Sequence, residues 1–122
     1  MTALSVMVAG GVGAVLRYLV DHLVQRRAGS EFPLGTMVIN LSGSFVLGVL
    51  AGSALHHGVS TAWLTVVGTG LIGAYTTFST FTFDSVRLAE ADRWGLSLLN
   101  VAAGIGLGLG AAGLGLALGS AL

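Results

Sequence analysis

The stretch GAYTTFSTFTF, Gly73 to Phe83, places threonines, a serine, a tyrosine and phenylalanines directly after an apolar run. Threonine is a weak helix former, and its hydroxyl can bond to backbone groups that a helix leaves free. A glycine that leads into such a cluster predicts a weak point in a helix. That weak point is either an ordinary kink or a break that exposes carbonyl oxygens, and the residues alone leave both open.

The composition around this stretch indicates a membrane protein. Hydrophobic residues make up 54% of the 122 residues and charged residues only 8%, which is far from a soluble domain. The charged side chains fall in two short segments, 17–31 and 84–93, and a turn signal near 56–61 divides the long uncharged middle. Because a span needs roughly 20 apolar residues, we predict an all-α membrane protein. Its single domain, 1–122, has spans of approximately 2–24, 33–55, 61–86 and 94–120.

Several classes of function are disfavoured by what the chain lacks. It has no cysteine and no basic patch, so thiolate chemistry and nucleic-acid binding are not expected. A drug/proton antiporter needs a carboxylate inside the membrane, whereas every acidic residue lies in or beside the two charged segments. Neighbouring His56 and His57 are more often solvated than metal-binding, and no nucleophile with a base is evident. We therefore predict that the protein is not an enzyme.

Glycine, at 20 residues, is unusually frequent. Helices associate in lipid by close approach over small residues, so these glycines predict packing faces. The last span offers the pairs Gly104/Gly108 and Gly106/Gly110, and the first span offers Gly10, Gly11 and Gly13.

Polar residues inside the spans predict a pathway for a small anion. Thr36, Asn40 and Ser44 are four residues apart and share one helix face, which is either wet or bonded to a neighbouring helix. The run Thr76 to Thr80 adds hydroxyls in the next span. Hydroxyls and amides donate hydrogen bonds without trapping an anion as a lysine would. Phe78 and Phe81, three apart, can turn their positive ring edges towards the same ion.

Three stretches together closely resemble the Fluc/CrcB family of fluoride channels: GGVGAVLRY (10–18), GTMVINLSGSFVLG (35–48) and GAYTTFSTF (73–81). The resemblance implies a passive, fluoride-specific channel in the bacterial inner or plasma membrane. It also implies an antiparallel dimer of four-helix protomers, with a broken third transmembrane helix, two pores and a central sodium ion that is structural and not transported.

The resemblance also implies roles for individual residues. It assigns sodium binding to the backbone carbonyls of Gly73 and Thr76, the pore to Asn40, Phe78 and Phe81, the hydroxyl run to Thr77, Ser79 and Thr80, and a vestibule or anchor to Arg17. The last span matches less well. Many members have serines where Asn100, Gly104 and Gly108 lie here, so the two pores of a dimer are expected to be unequal.

The charge map bears on orientation and partner. With four spans, both charged segments lie on the same side, and all five basic residues, which are arginines, lie in or beside those segments. Such loops stay cytoplasmic, so both termini should face outward. This bias favours an oppositely oriented paralogous chain as the dimer partner over a second copy of this chain. The alternative function is a non-conducting or partly conducting structural subunit of a two-chain fluoride channel.

Overall fold

The computed structural model describes residues 2–122, and the regular elements in that range are all helices. The three long ones are α1 (Thr2–Ala28), α2 (Leu34–His57) and α6 (Trp94–Ala121). Each has the length and the apolar composition needed to cross a bilayer, and no other helix among the described residues does. The all-helical fold class and the membrane character are therefore confirmed.

The region between α2 and α6 is divided into shorter pieces. It comprises α3 (Thr61–Trp63), a π-helix (Leu64–Ile72), α4 (Gly73–Tyr75) and α5 (Phe78–Glu90). Thr76 and Thr77 lie between α4 and α5 with extended backbones, at ψ 159° and φ −149° respectively. We refer to these two residues as the 76–77 linker.

The position of the linker corrects one expectation from the sequence. Gly73, the predicted weak point, is helical at φ −60° and ψ −38°, and the chain leaves the helix only three residues later. The reason is that β-branched threonine readily adopts an extended backbone. In addition, the Thr77 hydroxyl accepts a hydrogen bond from Thr80 N and so caps the start of α5.

Glycines bring α2 and α6 into close backbone contact. A side chain at Gly48 or Gly52 of α2 would collide with the carbonyl oxygens of Ala112 and Leu116 on α6. The relation is reciprocal, because Gly115 and Gly119 of α6 lie equally close to α2 backbone. Four-residue spacing in both helices allows this approach, as is usual for helix pairs in membranes.

The packing glycines are not all those singled out in the sequence. Among the described residues, a side chain at Gly106, Gly108 or Gly110 would meet nothing within 4 Å, so of the two predicted pairs only Gly104 packs within this protomer, against the Phe81 ring. The face of α6 that meets α2 starts further along the helix. In the first span, Gly13 does lie against the Leu71 carbonyl, whereas Gly11 has no neighbour.

The two charged segments meet at one end of the helices. Arg93, just before α6, donates to the Glu31 carboxylate at 2.7 Å, which ties the α5–α6 connection to the loop between α1 and α2. Both partners are about half exposed, so the pair adds little stability. It does show that the α1–α2 loop and the α5–α6 connection lie at the same end of the helices.

Candidate functional site

Asn40 of α2 holds the 76–77 linker in place. Its Nδ2 donates to the Thr77 carbonyl oxygen at 2.9 Å, and its Oδ1 accepts from Thr77 N at 2.9 Å. One amide side chain therefore satisfies both backbone groups of a residue that is only 7% exposed. Buried backbone groups require such partners wherever a helix is interrupted. The second hydrogen on Nδ2 remains available to another acceptor.

The same hydrogen bonds release two carbonyl oxygens from the helical ladder. In a continuous helix, Thr77 N would bond to the Gly73 carbonyl and Thr80 N to the Thr76 carbonyl. Here Thr77 N donates to Asn40 instead, and Thr80 N donates to the Thr77 hydroxyl at 3.2 Å. The carbonyl oxygens released in this way belong to Gly73 and Thr76, the two residues to which the family resemblance assigns sodium binding.

Hydroxyl groups cluster where α5 begins. Thr77 Oγ1 donates to Thr80 Oγ1 at 3.2 Å and lies 3.3 Å from Ser79 Oγ. Ser79 and Thr80 are exposed on this protomer, whereas Thr77 is buried. The three predicted hydroxyl residues thus form one connected group, and two of them can reach a partner or an ion outside the protomer.

Phe78 and Phe81 form an adjacent ring pair on α5. Their centroids are 6.0 Å apart and their planes are tilted by 47°, an arrangement in which neither ring covers the face of the other. Phe78 is 78% exposed, while Phe81 is partly buried against α6. At Gly104 a side chain would come within 2.9 Å of the Phe81 Cζ atom. The predicted pore phenylalanines therefore lie together, one projecting from the protomer and one seated on α6.

Arg17 lies beside this cluster, although it is well inside α1 and not at its end. It lines a cavity of about 200 Å³ together with Thr77 and Thr80. A second cavity of about 290 Å³ shares Thr80 and Thr36 with the first and extends towards the charged end of the protomer. Arg17 therefore lies next to the hydroxyl cluster.

Asp84 is a polar residue of the site region whose placement the sequence reading missed. It was counted with the charged segment, yet it is 9% exposed on α5, and its Oδ2 accepts from the Thr36 hydroxyl at 3.1 Å. Thr36 precedes Asn40 by one helical turn. Two residues of the predicted α2 stripe therefore bond to the region after α4, one to the linker and one to α5. Ser44, the third, lines a different cavity against α6.

A second buried polar group joins α5 to α6. Ser97 Oγ donates to the Ser85 carbonyl at 2.7 Å, and Asn100 Nδ2 donates to the Ser85 hydroxyl at 2.9 Å. Asn100 is 1% exposed. The sequence signal was Asn100 itself, an amide in an otherwise apolar span, but its partner could not be identified without the structure.

Comparison with known proteins places these features in a family. Residues 4–116 match the family model described as CrcB-like protein, Camphor Resistance (CrcB). A protein of Leifsonia xyli subsp. xyli named fluoride-specific ion channel FluC 1 is 49% identical over 90% of this chain and 87% of its own length. Fluoride-specific ion channel FluC 2 of Mycobacterium bovis is 45% identical over 87% of this chain and 81% of its own length. A FluC protein of Acidobacterium capsulatum is 39% identical, with 89% and 88% covered. The chain therefore belongs to the CrcB family.

Proposed function

We propose that this chain forms a fluoride-specific channel that lets fluoride leave the cell passively across the cell membrane. The observation that carries the proposal is the cluster of uncharged donors where Asn40 meets the 76–77 linker, in a chain whose relatives are named fluoride-specific ion channels. In this proposal the chain crosses the bilayer four times. The region from α3 to α5 is the third span, and the linker is a break within it.

Fluoride permeation requires that the water around a small, strongly hydrated anion be replaced. The Ser79 and Thr80 hydroxyls and the second Nδ2 hydrogen of Asn40 can donate to the ion without a fixed positive charge that would hold it. The ring edges of Phe78 and Phe81 carry partial positive charge and continue this weak attraction through an apolar section. Arg17, which lines a cavity with Thr77 and Thr80, raises the local concentration of anions before they enter.

The chemistry of the released carbonyls fits a structural sodium ion. Gly73 and Thr76 offer neutral oxygen ligands, which hard cations prefer, and a side chain built at Gly73 would have no neighbour closer than 3.7 Å. When bound, sodium would supply positive charge that draws such carbonyl dipoles together. Two oxygens are few for one cation, so an equivalent pair from a second protomer would complete the site.

Exposed residues of the protomer support a dimer. Phe78 projects from the protomer, Gly73 is exposed, and Gly106, Gly110 and Gly113 of α6 have no neighbours within 4 Å. Exposed small residues allow another helix to approach closely in a bilayer. We propose an antiparallel dimer in which each pore combines donors of one chain with phenyl rings of the other.

A second candidate is a structural subunit of a two-chain fluoride channel, non-conducting or partly conducting. Two observations favour it. The arginines are confined to the two charged segments, and neither Gly104 nor Gly108, which share one face of α6, has a side chain that could donate to an ion. An oppositely oriented paralogous chain would then supply the missing donors.

The test is efflux from liposomes that contain only this purified chain, followed with fluoride and chloride electrodes. Fluoride release without chloride release, and without an imposed proton gradient, is the expected result. If the liposomes retain both ions until a paralogous chain is added, the chain is the structural subunit. Equal release of both ions would exclude a fluoride-specific channel.

A further inference from the structure

The ring of Phe81 lies against a face of α6 to which the family resemblance assigns no role in positioning the ring. Ser97, Asn100 and Gly104 are three and four residues apart, so they share one side of the helix. All three contact the stretch from Phe81 to Ser85: the first two by hydrogen bonds, and the third through the space that its missing side chain leaves. The contact therefore fixes both the backbone and the ring at one end of the proposed pore.

The hydrogen bonds form a chain that ends on Phe81 itself. Asn100 Nδ2 donates to the Ser85 hydroxyl at 2.9 Å, and that hydroxyl in turn donates to the Phe81 carbonyl at 2.9 Å. Ser97 Oγ donates a hydrogen bond of 2.7 Å to the Ser85 carbonyl oxygen. Because Ser85 is held at two atoms from α6, α5 cannot rotate about its axis without breaking a buried hydrogen bond.

Gly104 sets the position of the ring. Its missing side chain leaves the space that the Phe81 ring occupies, and an added methyl group would lie 2.9 Å from Cζ. That distance is well inside normal carbon contact, so the ring would have to move. Movement would change its present tilt of 47° to Phe78, and with it the direction of the ring edge.

Two helices in lipid can be joined by apolar contacts at a lower cost in free energy than by a buried amide. Asn100 is 1% exposed, and burying an amide costs free energy unless it is hydrogen-bonded. An apolar residue of similar size could pack the same contact without a directional bond. The hydrogen bond of the amide fixes the rotation of α5 about its axis. That rotation sets the direction in which Phe81 projects.

We propose that Asn100, acting through Ser85, and Gly104 are positioning residues that hold the edge of the Phe81 ring towards the permeating fluoride. The proposal rests on the proposed channel function. Asn100 and Ser85 set the backbone from which the ring projects, and Gly104 sets where the ring comes to rest. Selectivity for fluoride over chloride should therefore depend on residues that do not touch the ion.

The experiment compares fluoride and chloride efflux from liposomes for the wild type, Ser85→Ala, Asn100→Leu and Gly104→Ala. Gly95→Ala is the control, because it adds the same methyl group to α6 at a place with no neighbour within 4 Å. We expect each site variant to lower the fluoride-to-chloride ratio by about tenfold and the control to leave it unchanged. A variant that merely folds less well would lower fluoride efflux without raising chloride efflux above that of protein-free liposomes, whereas a loss of selectivity would raise chloride efflux.

The double variant Ser85→Ala with Asn100→Leu tests whether Asn100 acts through Ser85 or independently of it. If Asn100 acts through Ser85, the double variant should be no worse than the more severe single variant. Additive losses, or an unchanged ion ratio in Ser85→Ala and Gly104→Ala, would overturn the proposal even if Asn100→Leu does not fold. A wild type that conducts no fluoride would instead refute the channel function.

A measurement without transport tests the same contact. The loss of Tm caused by Gly104→Ala should disappear in a Phe81→Leu background, because the displaced ring is then absent. An equal loss of Tm in both backgrounds would mean that the methyl group at residue 104 does not meet the ring, and the assignment of Gly104 would fail.

Discussion

Replacing Asn40 by aspartate tests the contact that holds the 76–77 linker. The substitution keeps the size of the side chain, changes the donor Nδ2 into an acceptor oxygen and adds a negative charge. The bond from Thr77 N to Oδ1 can persist. The bond to the Thr77 carbonyl is replaced by two oxygens facing each other where the hydrogen bond now measures 2.9 Å.

The expected effect can be estimated in two parts. Side-chain hydrogen bonds in membrane proteins contribute about 0.6 kcal/mol on average, but a buried carbonyl left without a donor costs about 1–3 kcal/mol. We therefore expect a loss of about 2 kcal/mol in the free energy of unfolding. A fixed negative charge about 5 Å from the ion, at an effective dielectric constant of about 20, adds a barrier of about 3 kcal/mol. That barrier lowers fluoride flux by about a hundredfold.

Asn40→Ala separates the two parts, because it removes both hydrogen bonds without adding charge. It should lose similar stability but retain more flux than Asn40→Asp. Ser53→Ala on the same helix is the control, since among the described residues its side chain makes one hydrogen bond, to the Gly119 carbonyl, and that bond is long at 3.4 Å. Efflux and Tm are measured on the same preparations. Wild-type fluoride flux through Asn40→Asp would refute the pore assignment, and an unchanged Tm would refute the role of Asn40 in holding the 76–77 linker.

Three further predictions concern the ring pair, the cation site and the orientation. Phe78→Ile and Phe81→Ile keep the bulk but remove the positive ring edges, so fluoride efflux should fall at least tenfold while size-exclusion chromatography still shows a dimer; unchanged efflux in both would remove the rings from the pore. Gly73→Val crowds the backbone that would approach sodium, so the variant should lose dimer and the stabilisation that sodium gives, measured as Tm in sodium against N-methylglucamine; the same sodium dependence as the wild type would argue against the site. Thr2→Cys, but not Gly29→Cys, should react with an impermeant thiol reagent on intact cells if the arginine-rich end is cytoplasmic; half-labelling of both would mean that one chain inserts in two directions.

Much of the fold follows from local sequence. Uncharged runs and two charged segments predict where α1, α2 and α6 lie, because helix length in a bilayer is set by its thickness. Gly58, at φ 67°, ends α2 where the turn was predicted. The position of the linker was less predictable, since glycine is tolerated in a packed helix and the threonines leave it only with the help of Asn40.

The site was predicted as residue types, but their pairings were not. Asn40 was expected either to face water or to bond to a neighbouring helix, and the structure shows it hydrogen-bonded to the 76–77 linker. Asp84 and Asn100 bond to residues on other elements, Thr36 and Ser85, and no local pattern specifies such pairs. Gly13 and Gly104 do pack as predicted, but Gly106, Gly108 and Gly110 do not, for a similar reason. Spacing identifies a small-residue face, but only the crossing of α2 and α6 decides which face is used.

The central claim is selective, passive conduction of fluoride, and the reversal potential tests it most directly. A planar bilayer containing only this chain separates two solutions of equal total anion concentration. Fluoride is present on both sides but much more concentrated on one, chloride makes up the difference on the other, and a pH gradient is imposed in a second run. We predict a current that reverses close to the fluoride equilibrium potential and does not shift with pH. Reversal near zero would show that chloride permeates equally, and a shift with the pH gradient would show coupling to protons; either result would contradict the account.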